Sequence, residues 1–267
     1  NIMEDTPFFS VITLTFNSSL SIHRTIESLK NQTFKNYEVI FQDAASNDDT
    51  IDLISSQIEK FEKASLISET DEGIYDGLNK AIKRAKGKFI CVLHSDDVFL
   101  SNDTLKIVAS KLEKNKYDVA YGDVLFVSKT NPGRIIRKWT AGDLKKINFW
   151  FGWMPPHTSL FVNKNLLTSS QPYRMDLEIS ADYDYILELF LGEELRVLYL
   201  ERPVTIMTLG GKSTSGLRSL WQVLKEDCTV LKRHFGRWFF VPLILKRILK
   251  LPQYFAFDKS HKFYIEK

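Results

Sequence analysis

Cysteine is scarce in this 267-residue chain: Cys91 and Cys228 stand far apart, in no CxxC spacing. That excludes a zinc site built on paired cysteines and leaves no disulfide framework, so a reducing compartment is expected. No apolar run reaches the ~20 residues of a bilayer span. The longest, Trp238 to Leu245, stops at Lys246-Arg247. The opening Asn1-Ile2-Met3-Glu4-Asp5 is polar and acidic, unlike a secretory leader. An excess of one charge is also missing: 36 Lys and Arg against 33 Asp and Glu give +3. That balance does not suit a protein that coats nucleic acid. No GxGxxG follows an expected strand, which removes support for a dinucleotide-binding dehydrogenase. Gly210-Gly-Lys-Ser-Thr214 resembles the tail of a P-loop, but the position five residues before Gly211 is Ile206, not glycine. No Ser-His-Asp or Cys-His signature is present.

What the chain does have is alternation. Ser10–Thr15, Tyr37–Phe41, Ser65–Ser68, Lys88–Leu93 and a run from Asp118 are short, apolar and β-branched, as in buried strands. Between them, Ser21–Lys30, Thr50–Phe61, Ile74–Ala85 and Thr104–Leu112 carry apolar residues at helical spacing. Strand and helix at this pitch predict a parallel sheet covered on both faces, with ligands beyond the carboxyl ends of the strands. The segments there read Phe16-Asn17, Gln42-Asp43-Ala-Ala-Ser46, Glu69-Thr-Asp71-Glu-Gly73 and His94-Ser-Asp96-Asp97. Three of the four carry carboxylates, which suits a metal and a ribose better than a bare phosphate. The later chain is less regular. It reads as a hairpin around Asn131-Pro132-Gly133, a strand over 157–162, a helix over 181–191, one or two strands over 196–209 interrupted at Pro203, and a helix over 220–235.

Several clusters have both a chemical and a plain reading. Asp96 and Asp97 beside His94 can hold a hard divalent cation, or cap a turn. Asp182 and Asp184 begin a helix, where dipole matching alone would need one carboxylate. His157 follows Pro155-Pro156 in an aromatic stretch. Lys212 can reach a phosphate from a glycine-rich loop, or be solvated. Trp238 to Leu251 mixes aromatic, aliphatic and basic residues, as an interfacial helix on an anionic membrane does, or as a packed helix with a basic outer face.

Taken together, Val11-Ile-Thr-Leu-Thr-Phe-Asn17, Asp43-Ala-Ala-Ser46-Asn-Asp48-Asp49-Thr50, Asp71-Glu-Gly73-Ile-Tyr75-Asp76-Gly-Leu-Asn79-Lys80 and His94-Ser-Asp96-Asp97 resemble the family 2 glycosyltransferases of the GT-A fold, the type that builds bacterial polysaccharides and O-antigens. The resemblance implies an α/β fold: a Rossmann-like αβα sandwich with a mostly parallel central sheet and an acceptor-side extension. It implies a domain over 1–215, with a nucleotide-sugar half at 8–125 and an acceptor half at 126–215, followed by a helical region at 216–267. It implies sugar transfer from a nucleotide-sugar, commonly UDP-linked, to a glycan or lipid-linked acceptor hydroxyl, with inversion and with Mn²⁺ or Mg²⁺. Carried onto this chain, Thr15, Asn17, Asp71, Asn79 and Ser95 line the donor pocket and Asp43 reads the base. Asp96 is the expected metal ligand, with His94 standing where the motif's first aspartate belongs. Asp182 keeps the position of the base, although the glutamate of the usual Glu-Asp pair is Ala181. His157 and Lys212 fall on the acceptor or diphosphate side. The expected setting is the bacterial cytoplasm, at the inner face of the membrane, with no nucleic acid partner. Two other readings stay open: a nucleotide-sugar binding module without catalysis, which the His94 replacement allows, and a nucleotidyltransferase, which would want a glycine-rich loop after the first strand.

Overall fold

In the computed structural model, which describes residues 6–131, 133–167, 169, 171–192, 194–208 and 217–255 (217–220 and 249–255 as backbone only), strand and helix alternate from the start. The order is β1 (Phe9–Thr15), α1 (Ile22–Lys30), β2 (Tyr37–Asp43), α2 (Thr50–Ile58), β3 (Ala64–Ser68), α3 (Ile74–Arg84), β4 (Phe89–Val92), β5 (Val98–Phe99) and α4 (Thr104–Asn115). Then follow β6 (Val119–Val127), β7 (Ile135–Trp139), a 3-10 turn Lys146–Phe151, β8 (Phe161–Asn163), α5 (Ala181–Leu191), β9 (Val197–Thr208), α6 (Leu217–Phe235) and α7 (Phe240–Phe255). The strands form one sheet in the order β3-β2-β1-β4-β8-β6-β9-β5, with β7 paired to β6. β1 to β4 are parallel, β8 runs against both its neighbours, and β6 and β9 are parallel. The sheet is mixed and mostly parallel, as the resemblance to the GT-A fold implies.

Strand periodicity sends alternate side chains to opposite faces. Val11, Val39 and Phe41 join Ile22, Ile26, Leu105 and Val108 of α1 and α4 on one face. Ile12 and Ile40 join Leu78 and Ile82 of α3, Ile186 and Leu187 of α5 and Leu231 of α6 on the other. Each of these large apolar side chains contributes about 1.5–3 kcal/mol by leaving water.

Two local expectations are corrected. The strand expected over 157–162 begins as a 3-10 turn, His157–Ser159, and only Phe161–Asn163 pairs in the sheet. Ser159 closes that turn: its N–H and hydroxyl both reach the carbonyl of Pro156, at 3.0 and 2.8 Å. Pro203 does not split β9, because the β6–β9 register shifts around Asp123 to absorb it. The short strand β5 carries no pattern that its two residues could show.

Candidate active site at the strand ends

Register builds the first part of the site. Thr15 pairs with Asp43, and Asp43 with Ser68, across the ends of β1, β2 and β3. The Asp43 carboxylate therefore receives the hydroxyls of Thr15 (2.7 Å) and Ser68 (2.8 Å), and both the N–H (2.8 Å) and hydroxyl (2.6 Å) of Ser46. An ionised carboxylate has about four acceptor positions; all four donors come from the protein, and Asp43 is 0% exposed. Asp43, expected to read a base, is here hydrogen-bonded by four protein donors and ties three strand ends together beneath the surface. Thr15, 3% exposed, shares that buried role.

Asn17, after β1, adopts a left-handed conformation, φ 48°, as does Ala45 on the neighbouring loop at φ 53°. The Asn17 N–H donates to Ser46 Oγ at 2.8 Å, and its Oδ1 accepts from Asn47 N–H at 3.0 Å. Phe16 beside it is half exposed at the rim. Asp71, partly exposed, accepts the Gly73 N–H at 3.0 Å. Burial, and then the nearby carboxylates Asp76 and Asp43, raise its pKa against the pull of that amide and of Lys80.

The turn after β4 is fastened from behind. Thr25 donates to the carbonyls of Asp97 (2.8 Å) and His94 (3.3 Å), and Thr208 to that of Asp96 (3.1 Å). Ser95 shares a 2.9 Å hydroxyl contact with Ser18. His94 and Asp96 are partly exposed, whereas Asp97 is 1% exposed and both its carboxylate oxygens lack a hydrogen-bond partner. Burial and the adjacent Asp96 charge push the Asp97 pKa well above the ordinary value. Burial and the neighbouring His157 hold the His94 pKa down at about 4, so its imidazole is neutral at pH 7 and offers a lone pair.

Such a donor set fits a divalent cation that shares its coordination with a ligand. It offers a neutral imidazole and the accessible Asp96 carboxylate, and the next residue, Asp97, has a buried carboxylate without a hydrogen-bond partner. Among the described residues no group of three or more His, Cys, Asp and Glu is gathered to hold an ion alone. The remaining positions would fall to water and ligand oxygens, as is usual for Mg²⁺ beside phosphates.

A wall of rings runs from this turn to Asp182. His157 Nε2 meets the Tyr173 hydroxyl at 2.6 Å. Tyr173 stacks on Tyr75 with ring centroids 5.8 Å apart. The Tyr75 hydroxyl donates to the Ile179 carbonyl at 2.5 Å and lies 3.4 Å from Asp182 Oδ1. Burial lowers the His157 pKa to about 4 and raises those of Tyr173 and Tyr75, so all three rings are neutral at pH 7. Asn79 belongs to this wall and not to a donor pocket. Its amide donates to the Tyr173 carbonyl (2.8 Å) and accepts the Tyr173 N–H (3.0 Å), and it is 1% exposed.

Asp182 and Asp184 part company in the first turn of α5. Asp182 is partly exposed. Its Oδ1 accepts the Tyr183 N–H at 2.8 Å. Its pKa is raised by burial, against the pull of that amide and of Lys246. Asp184 is 1% exposed and bound by Arg233 and by His234 Nε2 at 3.0 Å, which fastens α5 to α6. Lys212 lies outside the described residues. Tyr75, Tyr173 and Glu226, discussed below, escaped the sequence reading. Tyr75 sits within a recognised motif, but nothing local marks Tyr173 or Glu226.

Comparison with known proteins adds the following. The glycosyl transferase family 2 model matches residues 10–172. A PGL/p-HBAD biosynthesis glycosyltransferase of Mycobacterium bovis is 29% identical over 73% of this chain and 74% of its own. The poly(ribitol-phosphate) beta-glucosyltransferase of Bacillus spizizenii is 27% identical over 72% of this chain, which spans 34% of that longer protein. Among solved structures, S. aureus TarS 1-349 in complex with UDP-GlcNAc superposes with TM-score 0.65 at 20% identity, over 96% of this chain and 74% of that one. Mannosyltransferase PcManGT from Pyrobaculum calidifontis, in complex with GDP-Man and Mn²⁺, superposes with TM-score 0.63 at 17% identity, over 94% and 72%.

Proposed function

The chain belongs to glycosyl transferase family 2, and we propose that it is an inverting transferase in cell-surface glycan synthesis, moving a sugar from a UDP-linked donor to a hydroxyl of a glycan or lipid-linked oligosaccharide. One observation carries this reading: a partly exposed carboxylate with a raised pKa, Asp182, stands at one end of a ring wall whose other end is the His94–Asp97 turn. Two of the relatives support the acceptor class, since one is named for PGL/p-HBAD biosynthesis and the other as a poly(ribitol-phosphate) beta-glucosyltransferase. UDP-GlcNAc in TarS and GDP-Man in PcManGT give the two donor classes to compare.

In this reading residues 8–125 hold the donor and 126–215 the acceptor. Asp43 and Thr15 shape the floor. Asn17, Asp71 and Ser95 present polar groups to nucleoside and ribose, and the exposed face of Phe16 offers a surface for the base. Asp96 and His94 hold Mn²⁺ or Mg²⁺, which when bound supplies a Lewis acid for the charge building on the departing diphosphate. Lys212, outside the described residues, keeps only the assignment that the resemblance implies, to the acceptor or diphosphate side. Asp182 takes the acceptor hydroxyl's proton as that oxygen bonds to the anomeric carbon, from the face opposite the leaving group. The neutral rings of Tyr75, Tyr173 and His157 exclude water without competing for the proton.

Among the described residues no helix is long and apolar enough to cross a membrane. The outer stripe of α7, Phe240, Ile244 and Ile248, is 44–53% exposed, with Trp238 at 51% and Arg237 and Arg247 exposed nearby. That arrangement supports peripheral contact with an anionic inner leaflet, where each basic residue adds about 1 kcal/mol. Flotation with anionic vesicles reads it out; no association at low salt removes it.

The test of the whole reading is turnover. Purified protein is incubated with UDP-, GDP- and dTDP-sugars and envelope-derived acceptors, with Mn²⁺ or with EDTA. Nucleoside diphosphate released only with a UDP-sugar, an acceptor and a metal supports the proposal. Binding of UDP-sugars without any transfer would identify a binding module instead.

A further inference from the structure

α6 and α7 lie beyond the residues matched by the family model, and the sequence leaves α7 either at a membrane surface or packed on the domain. Their inner faces say more. Glu226 of α6 is 4% exposed. Its carboxylate accepts three successive amides, those of Glu178 (3.1 Å), Ile179 (2.9 Å) and Ser180 (2.8 Å), and a fourth hydrogen bond from Gln222 Nε2 (2.8 Å). Ser180 is the N-cap of α5 and Asp182 follows two residues later. Amides at a helix start have no partner within the helix, and a carboxylate there also complements the helix dipole. From the opposite side Tyr75 donates to the Ile179 carbonyl at 2.5 Å. The turn that presents Asp182 is thus gripped between α3 and α6.

α7 closes the grip. Asp227, 2% exposed, binds Lys246 Nζ at 3.0 and 3.1 Å and lies 3.4 Å from Ser180 Oγ. Lys246 Nζ sits 3.7 Å from the Tyr183 ring centroid. The groups whose charge or hydrogen bonding acts on the Asp182 carboxylate are Tyr75 from α3, Lys246 from α7, Asp227 from α6 and the Tyr183 amide of its own helix. Lys246 is itself placed by backbone contact. Gly152, at φ 70°, leaves so little room that a Cβ there would lie 2.2 Å from that of Lys246.

We propose that Glu226 and Lys246 are positioning residues of the transfer reaction, Glu226 holding the backbone that aims Asp182 and Lys246 holding a positive charge beside it, so that the α6–α7 hairpin is part of the active site. This rests on the reading of Asp182 as the base.

The test uses the full chain and four variants: Glu226→Gln, Lys246→Met, Gly152→Ala and Asp182→Asn. In Glu226→Gln the amide group turns N–H toward N–H. We expect kcat to fall about 10- to 100-fold, since a displacement of about 1 Å can cost that much. UDP affinity by calorimetry should stay within about two-fold, because binding is far from the altered bonds. Lys246→Met removes a cation that favours the charged Asp182, so the acid limb of the kcat profile moves to higher pH. Gly152→Ala should move it the same way, by pushing α7 outward. Wild-type kcat in Glu226→Gln, or loss of UDP binding in step with kcat, overturns the proposal. So does an unmoved acid limb in Lys246→Met, a readout that stands even where Glu226→Gln fails to fold. If Asp182→Asn keeps full turnover, the base assignment has failed; if it is inactive while Glu226→Gln and Lys246→Met match wild type, only the positioning role has.

Discussion

The strand-end rim and the ring wall are built by different rules. At the rim, hydroxyls, short amides and backbone N–H groups meet because parallel register sets Thr15, Asp43 and Ser68 side by side. At the wall, Tyr75 reaches a carbonyl 104 residues away, and Asn79 reaches Tyr173 across 94 residues. The first arrangement follows from the sheet and persists if the helices beyond it shift. The second exists only when α3, the segment before α5, and α6 are all docked. A rim of this kind is suited to a constant part, such as a nucleoside diphosphate. A wall assembled from distant pieces can change with each chain, as acceptor recognition requires.

Adjacent carboxylates in α5 give the largest expected effects on the wall side. Asp182→Asn keeps shape and should lower turnover by roughly 10²-fold or more, the usual share of general-base catalysis, while UDP affinity stays near wild type. Asp184→Asn should do the reverse. It leaves Arg233 and His234 facing a neutral amide, and breaking a buried pair costs about 3–5 kcal/mol. The loss appears as a lower denaturation midpoint. Turnover per folded molecule should change far less than in Asp182→Asn. An Asp184→Asn protein of normal stability without activity would exchange the two roles.

This division also marks what the sequence makes legible. Strand and helix alternation over residues 9–115 shows in the apolar spacing, because each element buries one face against its neighbours. The candidate rim residues follow from the rule that ligands sit beyond carboxyl strand ends. The sequence does not show which of them turn inward. Asp43 and Asn79 look like ligands in a motif, yet both are spent on protein donors and acceptors. Nor does it show the roles of Glu226 and Tyr173, whose partners are fixed only by helix docking. The apolar pattern puts His157 at the start of a strand, whereas Pro155-Pro156 and Ser159 wind it into a turn that faces Tyr173.

On the rim side, Asp43→Ala sharpens the contrast. It removes the acceptor of four donors: the hydroxyls of Thr15 and Ser68 at the ends of β1 and β3, and the hydroxyl and amide of Ser46 in the loop after β2. Leaving buried donors unsatisfied costs about 1–3 kcal/mol each, less where water enters. A loss of about 2–3 kcal/mol in chemical denaturation is expected. UDP affinity should fall in proportion to the disturbance of the β1 and β2 loops, and should recover partly in Asp43→Asn, which keeps an acceptor oxygen. A stable Asp43→Ala protein with abolished UDP binding would instead return Asp43 to direct base reading.

His157 offers the smallest effect and the cleanest sign. Its pKa in the folded protein is about 4 because the ring is buried, against about 6.5 for an unfolded histidine. The folded state therefore favours the neutral imidazole. The stability this contributes is fully present above pH ~6.5 and is lost as pH falls toward ~4, where the unfolded chain binds the proton first. Discounting for residual exposure, the loss between pH 7 and pH 4.5 is about 1–2 kcal/mol from this residue. His157→Gln keeps a polar partner for Tyr173 but cannot titrate. His94 titrates in both proteins, and because His157 helps to hold its pKa down, the difference between their stability profiles reads His157 together with its coupling to His94. Urea midpoints at the two pH values should fall less in His157→Gln than in wild type. Equal losses would mean that the imidazole is already solvated, and that the wall opens at the end nearest the His94–Asp97 turn.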